Sequence, residues 1–192
     1  MTLEELAARV QNLEDIEAIK RLKARYCGYC DNGYEPDGIA SLFTEDATWD
    51  GGVFGKSVGR EAIRKFFQGA SKALPFALHY VMNPIIEVTG NTGKGTWYLF
   101  QTCTFAENNQ AVWGAAKYSE EYVKVNDEWK FKNLKVNSEF WTPYDQGWAK
   151  KKFIQDKKTL FQLHQEEHGT PYKGRFLVYA TIGAGLHSVR RR

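Results

Sequence analysis

Four extended segments in the second half of the chain constrain the fold more than any other feature. The connections between them, "GNTG", "ENNQ" and "VND", are short and consist of residues that favour hairpin turns. Strands joined in this way pair with their sequence neighbours, so the pattern predicts an antiparallel meander. The four segments lie near residues 79–89, 94–105, 112–125 and 128–141.

The first part of the chain has a helical pattern instead. From Leu3 to Tyr29, apolar residues recur every three or four positions, which predicts an amphipathic helix ending at Asn32-Gly33. Asp15 is a candidate internal cap that would divide this helix in two. The stripe is expected to pack against the core, and its first two turns are also candidates for packing between subunits.

Two further helices and a strand pair are predicted before the meander. "PDGIASLF" and "GREAIRKFFQGAS" have helical patterns, and "ATWDGGVFG" between them is typical of two short strands that turn at Gly51-Gly52. Helices followed by a run of antiparallel strands indicate an α+β fold. We expect one such domain over residues 1–145, with a helical extension and basic tail over residues 146–192.

Composition excludes several classes of function. The 192 residues carry a net charge of +3 and have no basic stripe before the terminal "RRR", so no nucleic-acid partner is expected. No apolar run approaches the roughly 20 residues of a membrane span, and the start "MTLEELAARV" has no signal-peptide pattern. With three cysteines and no secretion signal, a cytoplasmic protein with reduced thiols is expected.

The strand patterns predict a curved sheet that encloses a pocket. In "KGTWYLFQTCTF" the inward row of apolar residues is interrupted by one polar residue, Gln101. In "EWKFKNLKVNSEF" the apolar phase shifts near Lys132-Asn133, which indicates a β-bulge. Bulges bend sheets, and a bent sheet closed by helices encloses a pocket.

Two motifs suggest chemistry that their context does not favour. Cys27 and Cys30 have the Cys-x-x-Cys spacing of thiol oxidoreductases, but they lie at the end of a helical pattern, where the helix dipole raises a thiol pKa. Packing is therefore the preferred interpretation. "HQEEH", with His164 and His168, matches a zinc motif, but no acidic residue follows Glu167 as a third ligand, so no metal is expected.

Three other residues are candidates for acid and base chemistry. Tyr26 and Asp31 flank the predicted helix end, and His79 lies at the entry to the first long strand. Tyr26 and Asp31 are separated by about 140° around a helix, so their side chains can reach a common group only if that group lies at the end of the helix. The sequence alone leaves open whether His79 meets them or is a core histidine.

The order of motifs resembles a known family. The runs "LEDIEAIKRLKARYCGYCDNGY", "LFTEDATWDGG", "GREAIRKFF", "LHYVMNPIIEV", "GTWYLFQTCTF" and "EWKFKNLKV" are similar to those of the SnoaL-like branch of the nuclear transport factor 2-like superfamily. Within this branch the chain most resembles the bile acid 7-alpha-dehydratases and, more distantly, the scytalone dehydratases. The resemblance spans residues 3–141 and implies helices closing a curved antiparallel sheet over a deep apolar pocket.

The resemblance also implies site residues. The catalytic tyrosine, aspartate and histidine of these dehydratases fall on Tyr26, Asp31 and His79, and a further tyrosine falls on Tyr118. Three positions differ from the bile acid enzymes: an aspartate is replaced by Gln101, an arginine by Ser138 and a tyrosine by Trp49. These seven residues are the predicted catalytic and substrate-binding set, and the departures imply a different substrate.

The implied activity is that of a cofactor-independent dehydratase or isomerase. His79 would remove a proton next to a carbonyl of a steroid-like or polycyclic compound, Asp31 would orient it, and Tyr26 would protonate the leaving hydroxyl or bind the enolate oxygen. A non-catalytic binding protein with the same pocket is the alternative, and a redox protein using Cys27 and Cys30 comes third. An open sheet and an apolar leading helix favour a homodimer or homotrimer.

Overall fold

The computed structural model describes residues 1–154, which form three α-helices and a six-stranded sheet. The helices are α1 (Leu3–Asp31), α2 (Pro36–Ser41) and α3 (Arg60–Ala73). The strands are β1 (Phe43–Asp50), β2 (Lys56–Val58), β3 (Phe76–Thr89), β4 (Thr92–Phe105), β5 (Gln110–Val125) and β6 (Glu128–Pro143). Helices precede the long strands, so the α+β prediction is confirmed.

The sheet has the strand order β2-β1-β6-β5-β4-β3. Strands β3 to β6 pair antiparallel with their sequence neighbours, as the hairpin turns predict. The expectation of an entirely antiparallel sheet is wrong in one place, because β1 pairs parallel with β6 through Trp49 and Leu134. The connection from β1 to β6 runs through α3 and four strands, which allows the parallel orientation that a short hairpin forbids.

Helix α1 is a single uninterrupted helix. It begins with a capping box in which Thr2 and Glu5 exchange hydrogen bonds with each other's backbone N–H groups. The prediction of a helix break at Asp15 is wrong. The Asp15 carboxylate is buried and accepts a hydrogen bond of 2.8 Å from the indole N–H of Trp129, and Lys124 lies 2.5 Å away. Its partners belong to the sheet, so it anchors the helix there.

Two bulges bend β6. The shift between Glu121 and Tyr122 leaves Lys132 without a partner, at the predicted position, and a second shift lies between Ala115 and Ala116. The concave face of the bent sheet and the inner faces of the helices form the core, in which Ile19, Ile39 and Phe131 are fully buried. The buried positions of β4 alternate through Gln101, so the predicted polar group does point inward.

The segment after β6 is described only in part. Residues 144–154 form turns, and Phe153 makes an isolated parallel bridge with Trp141. The predicted helical extension lies largely outside the described residues, as does the "HQEEH" motif, and the domain boundary near residue 145 stays a prediction. Among residues 1–154, no helix is long and apolar enough to cross a membrane.

Candidate functional site

A small, mostly aromatic cavity lies between the concave face of the sheet, α1 and α3. Its volume is about 60 Å³. Five of the seven predicted residues contribute polar groups to its wall, which are Tyr26, Trp49, His79, Gln101 and Tyr118, and Tyr34 contributes one more. The remaining wall is apolar and includes Phe54, Phe66, Phe67, Leu99, Val136 and Trp141. Polar groups that converge in an apolar cavity are typical of a ligand site.

Asp31 and His79 form a hydrogen-bonded dyad. Asp31 Oδ1 lies 2.6 Å from His79 Nδ1 and also accepts the His79 backbone N–H at 3.0 Å. Asp31 is the last residue of α1, and His79 pairs with Gln101 on the neighbouring strand, so two rigid elements hold the pair. A carboxylate can only accept a hydrogen bond, so the Nδ1–H group of His79 donates to Asp31. The other ring nitrogen, Nε2, is therefore left to act as a base.

The Tyr26 hydroxyl is positioned by a hydrogen bond from Trp49, which lies on β1. The indole N–H of Trp49 donates to the Tyr26 hydroxyl at 3.0 Å. Burial among Phe43, Phe67 and Phe131 raises the pKa of Tyr26 well above its ordinary value. Tyr26 therefore stays protonated at neutral pH and can act as a hydrogen-bond donor or proton source, as its predicted role requires.

Tyr34 is a site residue that the sequence analysis missed. It lines the cavity, stacks on Phe67 at 6.1 Å between ring centroids and meets the His79 ring edge-on at 6.2 Å. Its side chain also hydrogen-bonds Gln101, although burial still raises its pKa well above the ordinary value. Tyr34 has a φ of 58°, a conformation that bulky residues rarely adopt. The only sequence signal is its place directly after the helix stop at Asn32-Gly33.

Behind Tyr118 lies a buried ion pair. Lys23, on α1, is fully buried and its Nζ lies 2.5 Å from Glu120 Oε1 and 3.1 Å from the centroid of the Tyr118 ring. Glu120 also accepts a hydrogen bond from the Tyr122 hydroxyl, which in turn accepts one from Trp97 at 3.0 Å. Every polar group of this cluster is thus paired, as burial requires.

Ser138 does not line the cavity. Its hydroxyl accepts a hydrogen bond of 3.0 Å from the indole N–H of Trp141, whose ring forms part of the cavity wall. Ser138 therefore lies one layer behind the site and contacts the cavity wall through Trp141.

Comparison with known families agrees with this architecture. A family model described as SnoaL-like domain matches residues 11–135, about two thirds of the chain. This chain belongs to the SnoaL-like domain family. Its helices and curved sheet are those of the nuclear transport factor 2-like cone.

Several solved structures share the fold of this SnoaL-like chain. A hexachlorocyclohexane dehydrochlorinase, LinA type 2, is 23% identical with a TM-score of 0.66, over 70% of this chain and 92% of that one. LinA type 3 from Novosphingobium barchaimii is 24% identical, with a TM-score of 0.65 and coverages of 70% and 93%. A candidate scytalone dehydratase from Novosphingobium aromaticivorans is 22% identical, with a TM-score of 0.64 and coverages of 77% and 97%. At these identities the likeness shows a shared fold.

The cysteines of this SnoaL-like chain are buried in the core. Cys27, Cys30 and Cys103 are all free and less than a tenth exposed. Burial raises the pKa of Cys27 to about 11 and that of Cys103 to about 12, and raises the pKa of Cys30 as well. Thiols of this kind are unreactive, which supports packing rather than redox chemistry for Cys27 and Cys30.

We expect the native protein to resist thiol reagents. At pH 8 a thiol with a pKa near 11 is ionised in only about one molecule in a thousand, so labelling by an aromatic disulfide should be slow. The same protein in denaturant should label all three cysteines quickly. A Ser119→Cys variant, with its thiol on the exposed face of β5, supplies the rapid native control. Rapid labelling of the native, unsubstituted protein would contradict the packing interpretation.

Proposed function

We propose that this protein is a cofactor-independent lyase or isomerase that removes a proton from the carbon next to a carbonyl group. The observation that carries the proposal is the 2.6 Å contact between Asp31 and His79 at the wall of an apolar cavity. In this arrangement Nε2 takes the proton, and the Asp31 carboxylate orients the ring and stabilises the imidazolium that forms.

The tyrosines and the amide would complete the reaction. As the proton leaves, negative charge develops on the carbonyl oxygen, and the phenol and amide groups facing the cavity are donors that can bind it. These donors are Tyr26, Tyr34, Gln101 and Tyr118. With a hydroxyl on the next carbon, proton transfer from Tyr26 or from His79 lets it depart as water. With a carbon–carbon double bond at that position instead, loss of the proton forms a dienolate, and return of the proton to its far carbon gives isomerisation.

The cavity size argues for a compact substrate. A volume of about 60 Å³ is below the roughly 300 Å³ at which ligand pockets begin. A steroid-like substrate, as the bile acid dehydratase resemblance suggests, would need aromatic side chains of the wall to move. We therefore propose a small cyclic hydroxy ketone as the preferred class. The hexachlorocyclohexane named for the dehydrochlorinase structure is a ring compound and is consistent with a cyclic substrate.

A non-catalytic binding protein is the second candidate function. The small cavity and the replacement of charged groups by Gln101 and Ser138 favour it. A short Asp31–His79 contact disfavours it, because a pocket that only binds an apolar ligand has no need of an oriented base. Cytoplasmic location and assembly as a homodimer or homotrimer stay predictions under either function.

A substrate panel tests the proposal. Small cyclic β-hydroxy ketones such as β-hydroxycyclohexanone are incubated with the protein, and formation of the conjugated enone is followed by ultraviolet absorbance. We expect dehydration by the unsubstituted protein and none above background with His79→Ala. If panel members bind by calorimetry, yet none loses water and none exchanges its α-hydrogen for deuterium, the binding function is favoured instead.

Phe54 is expected to limit the size of the ligand. It lies in a short 3₁₀ turn between β1 and β2, is only partly buried and packs edge-on against Trp141 at 4.8 Å. Phe54→Ala should open the cavity and improve the binding of a two-ring ketone over a one-ring ketone by about tenfold, or 1.4 kcal/mol. Phe100→Ala, which removes a partly buried aromatic from the opposite face of the sheet, is the control. Equal selectivity in both variants would show that Phe54 does not limit the pocket.

A further inference from the structure

The buried Lys23–Glu120 pair is placed where it can act on the site without touching a ligand. Lys23 does not line the cavity, but its ammonium lies 3.1 Å from the centroid of the Tyr118 ring, and Tyr118 does line it. The next aromatic ring, that of Tyr26, is 5.0 Å away. The charge is thus centred under one phenol of the site.

The position of the ammonium is fixed. Its Nζ is bound to Glu120 at 2.5 Å, and Glu120 is itself held by Tyr122. With exposures of 1% and 0%, neither side chain of the ion pair is screened by water. A cation on the face of an aromatic ring interacts strongly when desolvated, and it stabilises any negative charge that the phenol oxygen gains or shares.

We infer that Lys23 is a positioning residue for the proposed reaction, whose buried charge makes the Tyr118 hydroxyl the principal donor to the developing enolate oxygen. The proton moves from the α-carbon of the ketone to His79 Nε2, and the C–H electron pair forms the new C=C bond. The carbonyl π pair moves onto oxygen, which accepts a hydrogen bond from Tyr118 while the phenol keeps its proton. This inference rests on the proposed function for the identity of the anion.

Other groups also face Tyr118. Burial raises the pKa of Tyr118, and the neighbouring thiols and the Glu120 carboxylate raise it further. The groups from packed elements are Lys23, Tyr26, Cys27 and Cys30 on α1, Tyr34 after it, and Glu120 on its own strand. Lys23 is the one positive charge in this set, so its removal should shift the pKa of Tyr118 in one direction only, upward.

The test measures Tyr118 directly and needs no turnover. A fluorinated tyrosine, whose phenol ionises below the range in which proteins unfold in alkali, is incorporated at position 118 and titrated by fluorine NMR. Lys23→Met should raise the titration midpoint by at least about one pH unit, a tenfold change in ionisation. Glu120→Gln should lower it, because the lysine charge is no longer opposed. Lys124→Met, which removes a lysine that pairs with Asp15, should leave it unchanged.

Midpoint shifts of opposite sign in Lys23→Met and Glu120→Gln distinguish an electrostatic role of Lys23 from a structural one. If Lys23→Met does not fold, the decision passes to Glu120→Gln compared with the Lys23→Met/Glu120→Gln double variant, which differ only in the lysine. A midpoint at least about one pH unit higher in the double variant supports the inference. Equal midpoints, or shifts of the same sign for Lys23→Met and Glu120→Gln, overturn it. A shift of the expected sign in a protein that dehydrates no ketone would overturn the proposed function alone.

Discussion

Replacing His79 with alanine should lower kcat for a ketone substrate by at least about 100-fold, since positioned general bases contribute roughly that much or more. KM should change only a few-fold, because His79 supplies a proton acceptor rather than a large apolar contact. Asp31→Asn should lower kcat by roughly 100-fold as well, because the amide keeps the hydrogen-bond geometry but loses the charge that stabilises the imidazolium. Steady-state kinetics over a range of pH measures both effects.

The matched control for these variants is Tyr80→Phe. Tyr80 is next to His79 on β3 but points to the other face and is half exposed. It should keep the kcat of the unsubstituted protein. If His79→Ala and Asp31→Asn also remain within a few-fold of that value, the dyad is not the catalytic base, and Tyr26 or Tyr34 would have to be tested in its place.

Removing one partner of the Lys23–Glu120 pair should destabilise the protein more than any exposed ion-pair substitution. Lys23→Met leaves the Glu120 carboxylate buried without its cation, and breaking buried pairs costs about 3–5 kcal/mol. Because domains of this size are stable by only about 5–15 kcal/mol, the loss should be evident in a urea unfolding curve. Glu61→Gln, which breaks the exposed pair with Arg64, is the control and should leave the midpoint nearly unchanged.

The double variant separates the cost of an unpaired charge from that of a lost contact. Lys23→Met with Glu120→Gln removes both charges and keeps the volume of the side chains, so at least half of the lost stability should return. If the double variant is instead as unstable as the sum of the single variants, the two side chains act independently and the short contact contributes little.

Much of the fold could be predicted because its signals are local. The four long strands follow from turn residues and alternating burial, and the bulge at Lys132 follows from a shift of apolar phase. Reliance on local signals also explains why the predicted helix break at Asp15 is wrong. A polar residue inside a helical pattern suggests a local cap, whereas its partners, Lys124 and Trp129, are more than a hundred residues away and only the fold brings them near.

The site was predicted in part, since family resemblance supplied residues but not their contacts. Tyr26 and His79 line one cavity and Asp31 contacts His79 from behind, although no spacing rule links a helix end to a strand 48 residues later, and their catalytic roles stay predictions. Tyr34 and Lys23 were missed. The role of Tyr34 depends on a left-handed backbone conformation, and Lys23 is a basic residue in a helix, a type that is usually exposed. Burial of this lysine depends on Glu120, which lies 97 residues along the chain.

Hydrogen–deuterium exchange at the substrate tests the central claim most directly. β-Hydroxycyclohexanone and the parent cyclohexanone are incubated in D₂O with the unsubstituted protein, with Asp31→Asn and with His79→Ala, and loss of the α-hydrogen signal is followed by proton NMR. The account predicts exchange in the unsubstituted protein at least about 100-fold faster than in either variant. Equal exchange rates in all three proteins, at ketone concentrations shown by calorimetry to saturate the cavity, would contradict it.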